Sequence, residues 1–342
     1  MNRFWIFWGG GLYLAGRMHQ RSAVTASPPV PNATVPSLKI YLYWIDWLTR
    51  KSTSEPEEMG ILLPGLGRLG NAAKRISNAM AAASLLGFRH VIVPEQAIFR
   101  PSIFRSGRHI LRHVILWIGK DYGPNRSNVR LIGSSDFLGT ISGSESLPEE
   151  TRNAIWPDLG SCLTGGGTVA PFPTTNITIH LRGGDVFGRR KPASYGQPPL
   201  GFYTKILTNG KWRSVVIVHQ DLSNPVLPEL LRVCDELGLA VQTLSGELRE
   251  DVEALLRART LVVARGSFGP AIVGLSNNIE DVYYFEDKFS LAFRAQKIRV
   301  HRVIDSTGLF RSEVLSDNWE GAPHQYELML TYDSENLSIT QE

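Results

Sequence analysis

From Met59 onward, short apolar runs bounded by turn residues alternate with longer segments that carry apolar positions at helical spacing. Met59 to Leu63 (MGILL) stops at Pro64-Gly65 and reads as a buried strand. Gly70 to Leu86, rich in alanine, reads as a helix, and His90 to Pro94 (HVIVP) as a second strand. Strand, glycine turn, helix, strand predicts a βαβ unit, hence a parallel sheet whose ligands gather at the carboxyl ends of its strands. Arg100 to Trp117 is basic with interleaved apolar positions. Residues 119 to 175 are loop-rich, and Gly165-Gly166-Gly167 with Pro171 and Pro173 marks an inter-domain connection.

A second α/β half follows. Asn176 to His180 (NITIH), Val215 to His219 (VVIVH), Ala240 to Thr243, Thr260 to Ala264 (TLVVA) and Asp281 to Phe285 (DVYYF) read as strands, the last closing the set. Leu227 to Leu237, Leu248 to Arg257 and Phe268 to Leu275 read as helices, while Tyr195 to Tyr203 (YGQPPLGFY) takes no assignment. The predicted fold class is therefore α/β, with two Rossmann-like domains facing a cleft. The expected boundaries are a leader at 1–58, a first Rossmann-like domain at 59–172, a second at 173–310 and a tail at 311–342.

The leader differs from the rest. Phe4 to Gly16 is apolar between Arg3 and Arg17 but shorter than the ~20 residues of a bilayer span, so it reads as a signal-like stretch or a weak anchor. Ser22 to Ser37 is linker-like, and Ile40 to Leu48 has the Trp and Tyr content of a membrane interface. If Met59 is the true start, a cytoplasmic or peripherally membrane-associated protein is expected. With the leader in use, the alternative is a Golgi-lumen protein on an N-terminal anchor.

Composition narrows the classes. With 43% hydrophobic and 20% charged residues the 342-residue chain is globular rather than disordered or coiled-coil. A balance of 36 Lys+Arg against 32 Asp+Glu is too mild to suggest a nucleic-acid partner and fits one local anion site. Two cysteines, Cys162 and Cys234, exclude a disulfide scaffold and a four-cysteine metal site.

Three motifs carry the chemistry. Gly65-Leu66-Gly67-Arg68-Leu69-Gly70 satisfies G-x-G-x-x-G between a strand and a helix, with Glu95 after the next strand. Taken alone it fits an NAD(P)-dependent oxidoreductase, or glycines that merely permit a tight turn. Pro64, Arg68 and Asn71 are unusual company for a dinucleotide motif. In Ile177 to Phe187 (ITIHLRGGDVF), Arg182 stands where a strand gives way to a polar turn, placed to grip a phosphate in bidentate fashion. Asp185 there is suited to orienting Arg182 or the loop backbone. Val262 to Pro270 runs from strand into helix, with Ser267 at a helix amino end that favours phosphate. Simple N-capping by Ser267 is the plainer reading. Arg265 replaces the first glycine of G-x-S-x-G, which argues against a serine hydrolase. His109 and His113 read as a solvated basic face, because HILRH lacks the glutamate of a metalloprotease helix.

Gly67-Arg68-Leu69-Gly70-Asn71, His180-Leu181-Arg182-Gly183-Gly184-Asp185 and Gly266-Ser267-Phe268, in that order, together resemble the fucosyltransferase superfamily of the GT-B type. The spacing of the first two motifs is nearer the α-1,2 branch than the protein O-fucosyltransferases. The resemblance covers roughly Gly60 to Phe285 and implies GDP-fucose as donor and a glycan acceptor. It gives Arg182 the β-phosphate and makes Ser267 and Phe268 line the diphosphate, while Asn71 faces the reacting centre from the other domain. Gly67, Arg68, Gly70, His180, Asp221 and Arg265 complete the expected nucleotide-sugar contacts. The chain departs from the pattern at Gly183, where many members carry a second arginine, and at Ala72, where many carry glutamine.

Such a transfer must stabilise a leaving diphosphate and deprotonate the acceptor hydroxyl. The chain has no Asp-x-Asp, and Arg182 with a helix amino end supplies positive potential instead, so metal-independent transfer without a cofactor is expected. Asp185, Glu95 and Asp221 are the candidates for the base, and Asp221 and His219 are alternatively placed to contact the nucleotide. A non-catalytic nucleotide-sugar-binding protein is the remaining alternative.

Overall fold

A computed structural model of the chain describes residues 5–8, 12–15, 59–63, 68–86, 89–95, 98–105, 114–119, 130–132, 156–163, 169–189, 193–286 and 298–342. The chain divides into two compact units, Met1–Thr164 and Gly165–Glu342. Among the described residues no helix is long and apolar enough to cross a membrane.

In the first unit, β1 (Met59–Leu62), α1 (Leu69–Leu86), β2 (His90–Val93), β3 (Ser102–Arg105), β4 (Ile115–Ile118), β5 (Arg130–Ile132) and α2 (Trp156–Ser161) follow in order. The sheet runs β3-β4-β2-β1-β5. It is parallel except for β3, which pairs antiparallel with β4. Buried Leu69, Ala72, Ala73, Ile76, Met80 and Ala83 recur at three and four residues along α1, the stripe that presses it on its neighbours. Each large member contributes ~1.5–3 kcal/mol by leaving water. The basic segment from Arg100 supplies β3 and β4, while His109 and His113 fall outside the described residues. Of the leader, Trp5–Trp8 pairs antiparallel with Leu12–Ala15.

The second unit holds β6 (Asn176–Leu181), α3 (Leu200–Asn209), β7 (Ser214–His219), α4 (Val226–Glu236), β8 (Ala240–Leu244), α5 (Leu248–Leu256), β9 (Thr260–Val262), α6 (Phe268–Leu275), β10 (Asp281–Phe285), β11 (Arg299–Asp305), α7 (Pro323–Thr331) and β12 (Leu337–Gln341). Its sheet runs β8-β7-β6-β9-β10-β11-β12, parallel apart from the antiparallel edge strand β12. Numbered from β6, the first six strands take the order 3-2-1-4-5-6, the doubly wound arrangement. Every residue of β6 is buried, as expected of a central parallel strand covered on both faces. Both units are thus α/β and Rossmann-like, as the sequence pattern predicts.

Two expectations are corrected. The strand set does not close at Phe285, because β11 and β12 extend the sheet. Residues 311–342 are no tail: Val314, Trp319, Met329, Tyr332 and Leu337 are buried in the second unit's core, and the Trp319 Nε1–H donates to the Val186 carbonyl at 2.8 Å. The unassigned Tyr195 to Tyr203 segment opens α3, where Phe202, Tyr203, Ile206 and Leu207 fill the same core.

Candidate functional site

In a doubly wound sheet the crevice opens where strand order reverses, here between β6 and β9 beyond their carboxyl ends. Two of the three motifs arrive there: Arg182 to Asp185 follow β6, and Arg265 to Phe268 follow β9.

Arg182 is held from several sides. Its Nη1 donates to the Arg265 carbonyl at 3.4 Å, its Nη2 faces Asp185 Oδ1 at 3.4 Å, and its guanidinium carbon lies 4.5 Å from the centre of the Tyr195 ring. The Asn224 amide donates to the Arg182 carbonyl at 2.9 Å, which fixes the backbone beneath the side chain. Arg182 is 16% exposed and Asp185 34%, so a carboxylate and an aromatic face orient the cation without excluding it from solvent. Gly266 has φ +130, and a Cβ there would stand 2.3 Å from Arg182 Nη1. Glycine is therefore favoured by conformation, and the missing Cβ leaves the guanidinium its place.

His180, the preceding inward residue of β6, stacks at a tilt on Phe268 with 4.9 Å between ring centroids. Burial, reinforced by the Arg182 charge, pushes its pKa down to about 3, so the imidazole is neutral at pH 7. Its Nδ1 is buried without a hydrogen-bond partner among the described residues. Ser267 is exposed at the amino end of α6 and makes no side-chain capping bond, so the plain N-cap reading does not describe it.

Asp221 lies in the loop after β7, against the glycine turn. Its Oδ1 accepts from the Ser223 N–H at 2.8 Å and from the Ser223 hydroxyl. Partial burial raises its pKa, but the Ser223 hydroxyl and the N–H groups of Ser223 and Gly184 outweigh that and leave the carboxyl below its ordinary value. Asp221 therefore supports its own loop. The same loop accounts for Gly183: a Cβ there would meet Asp221 Oδ1 at 2.3 Å, so the position that carries arginine in the resembled family is filled by the 221–223 turn. His219 is buried, its Nδ1 3.2 Å from the Asp221 carbonyl.

In the first unit Arg68 and Asn71 are exposed at the amino end of α1 beyond β1, Gly70 is buried between them, and Glu95 is exposed after β2. Gly67 and the preceding glycine of the turn lie outside the described residues.

Sequence reasoning missed Tyr195, Gln197, Ser223, Asn224 and Asp251. Asn224 left a trace, because Asn before Pro at a helix start is an N-cap signature, and its Oδ1 accepts from Val226 N–H at 3.0 Å. Asp251 on α5 accepts from Gly246 N–H at 3.2 Å, and burial raises its carboxyl while that bond and His219 offset the effect in part. Nothing in the local sequence marks Gln197.

No protein-family model matches the sequence, and no curated protein matches it significantly. Among solved structures the chain is similar to the Escherichia coli ADP-heptose LPS heptosyltransferase II, at 15% identity over 71% of this chain and 90% of that one, with a TM-score of 0.37. It is similar to POFUT1 in complex with GDP, at 12% identity over 65% of this chain and 95% of that one, TM-score 0.36. A family 9 glycosyl transferase from Veillonella parvula matches at 11% identity over 81% of this chain and 95% of that one, TM-score 0.40. Scores at this level carry no argument for substrate or chemistry.

Proposed function

We propose that the protein is a nucleotide-sugar-dependent glycosyltransferase, with GDP-fucose as donor and a glycan hydroxyl as acceptor. The observation that carries the reading is Arg182, a partly exposed guanidinium oriented by Asp185, Tyr195 and the Arg265 carbonyl at the strand-order reversal of a doubly wound sheet. A fork of this kind matches the oxygens of a diphosphate. The neutral His180 beside it offers a hydrogen bond without adding charge, and the amino end of α6 adds backbone donors. The GDP-fucose assignment rests on the resemblance of the three motifs.

In the reaction the acceptor oxygen bonds to the anomeric carbon from the face opposite the diphosphate while the bond from that carbon to the β-phosphate oxygen breaks. GDP leaves with the electron pair, the acceptor proton passes to a base, and the configuration inverts. Arg182 neutralises the charge that develops on the leaving group, which makes divalent metal unnecessary. Asp185 orients Arg182. Asp221, already accepting from Ser223 and held below the ordinary carboxylate range, is poorly suited to take the acceptor proton.

The test is calorimetric titration of the wild type and Arg182→Ala with GDP, UDP, ADP and NAD, followed by turnover of GDP-fucose with and without EDTA. GDP should bind, and the variant should lose about 10- to 150-fold, the worth of a charge-assisted hydrogen bond to phosphate. NAD binding that ignores Arg182, with no affinity for GDP, would sink the reading. Rates abolished by EDTA and restored by Mn²⁺ would refute the metal-independent step.

A further inference from the structure

We propose that Gln197 is the positioning residue that aims Arg182 at the terminal phosphate of a bound nucleoside diphosphate, an inference that rests on the reading above. Gln197 is 1% exposed. Its Nε2 donates to the Tyr195 carbonyl at 2.8 Å and, more weakly, approaches the Arg265 carbonyl at 3.5 Å. Both partners are acceptors, so the orientation of the amide is fixed: the NH₂ group faces the two carbonyls and Oε1 faces away. That Oε1 is buried without a hydrogen-bond partner among the described residues. A polar side chain kept at such a site acts through its donors.

Those donors meet the groups that enclose Arg182. The Arg265 carbonyl that Gln197 approaches is the one that accepts from Arg182 Nη1, and the Tyr195 residue whose carbonyl it holds presents its ring to the guanidinium. Arg265 Nη1 returns a bond to the Gly196 carbonyl at 3.2 Å, so residues 195–197 and Arg265 are stitched in both directions. The stitch is anchored from behind. A Cβ on Gly196 would lie 2.1 Å from the Val314 carbonyl, and Trp319 N–H donates to the Ala193 carbonyl at 3.1 Å. Two walls of the arginine enclosure therefore depend on one neutral amide, and the segment beyond residue 311 backs them.

The experiment is a double-mutant cycle on the full chain: wild type, Gln197→Met, Arg182→Ala and the double variant, each titrated with GDP and with GMP, with thermal melts alongside. Met keeps the length of Gln and removes the unpartnered acceptor together with the donors, so the melting temperature should stay near that of the wild type. Gln197→Met should weaken GDP about tenfold and GMP by less than about twofold, and in the Arg182→Ala background it should change GDP affinity by less than about twofold. Gln197→Glu, which sets a carboxylate against two carbonyl oxygens and beside the cation, should lose at least as much GDP affinity. Equal losses for GDP and GMP, or additive losses in the double variant, would mean a general packing role and overturn the proposal. So would no effect of Gln197→Met. If Arg182→Ala itself leaves GDP affinity unchanged, the nucleotide reading has failed and this inference falls with it. That outcome is distinguishable because it appears in the single Arg182 variant.

Discussion

Gly266→Ala isolates the orientation of Arg182 from its charge. Position 266 has φ +130, where an L residue is strained by ~1–3 kcal/mol, and the new Cβ would stand 2.3 Å from Arg182 Nη1. The atom in the way is the far end of a flexible side chain, so the clash is relieved by displacement of the guanidinium rather than of the backbone. Carbon and nitrogen in contact sit ~3.5 Å apart, so the guanidinium must retreat by about 1 Å and give up its bond to the Arg265 carbonyl. Strain should lower Tm by roughly 2–10 °C for a domain of this size. Displacement should cost about 10- to 150-fold in GDP affinity, the range expected for one charge-assisted phosphate contact. Gly238→Ala is the control: φ is +66, no atom lies within 4 Å of where the added methyl would stand, and the turn sits between α4 and β8. It should lower Tm and leave GDP affinity unchanged. Calorimetry and differential scanning on both variants decide the matter. If Gly266→Ala binds GDP as tightly as the wild type while losing comparable stability, Arg182 does not grip the ligand in the described orientation.

Trp319→Phe should cost ~1–3 kcal/mol in urea unfolding, because it strands the buried Val186 carbonyl that the indole N–H satisfies. His180 gives a pH signature. Its native pKa of about 3 lies below the ordinary 6.5, so between those values the unfolded chain binds a proton that the native chain refuses. Stability is therefore complete above pH 6.5 and falls as pH drops toward 3. His180→Gln should flatten that part of the unfolding-against-pH curve, and the native imidazole should show no NMR titration between pH 8 and 5.

Much of the fold was legible because its strands are buried on both faces and so appear as unbroken apolar runs; Ile177, Ile179 and Val215 to Val218 need no wider context. β11 was not legible for the opposite reason. Arg299, His301 and Arg302 interrupt its apolar positions, and only Val300, Val303 and Asp305 turn fully inward. α3 had a readable stripe at Leu200, Tyr203 and Leu207, hidden behind Pro198 and Pro199. The same division holds at the site. Arg182 announces itself because it directly follows a legible strand, and Ser267 because it stands between a legible strand and a legible helix. Gln197 and Tyr195 do not, because their roles are created by contacts remote in sequence, Gln197 with the Arg265 carbonyl 68 residues along the chain and Tyr195 with the Arg182 guanidinium.

Val314 and Trp319, which back the 193–197 loop, bear on the order in which the chain acquires its properties during synthesis. A growing polypeptide carries His180 to Asp185 and Arg265 to Phe268 well before the residues that brace them have been added. It then has every recognisable motif and an unsupported arginine. A premature stop between Asp305 and Val314 would release the same species: a chain that keeps all three motifs, whose sheet lacks its last strand and whose loop lacks its brace.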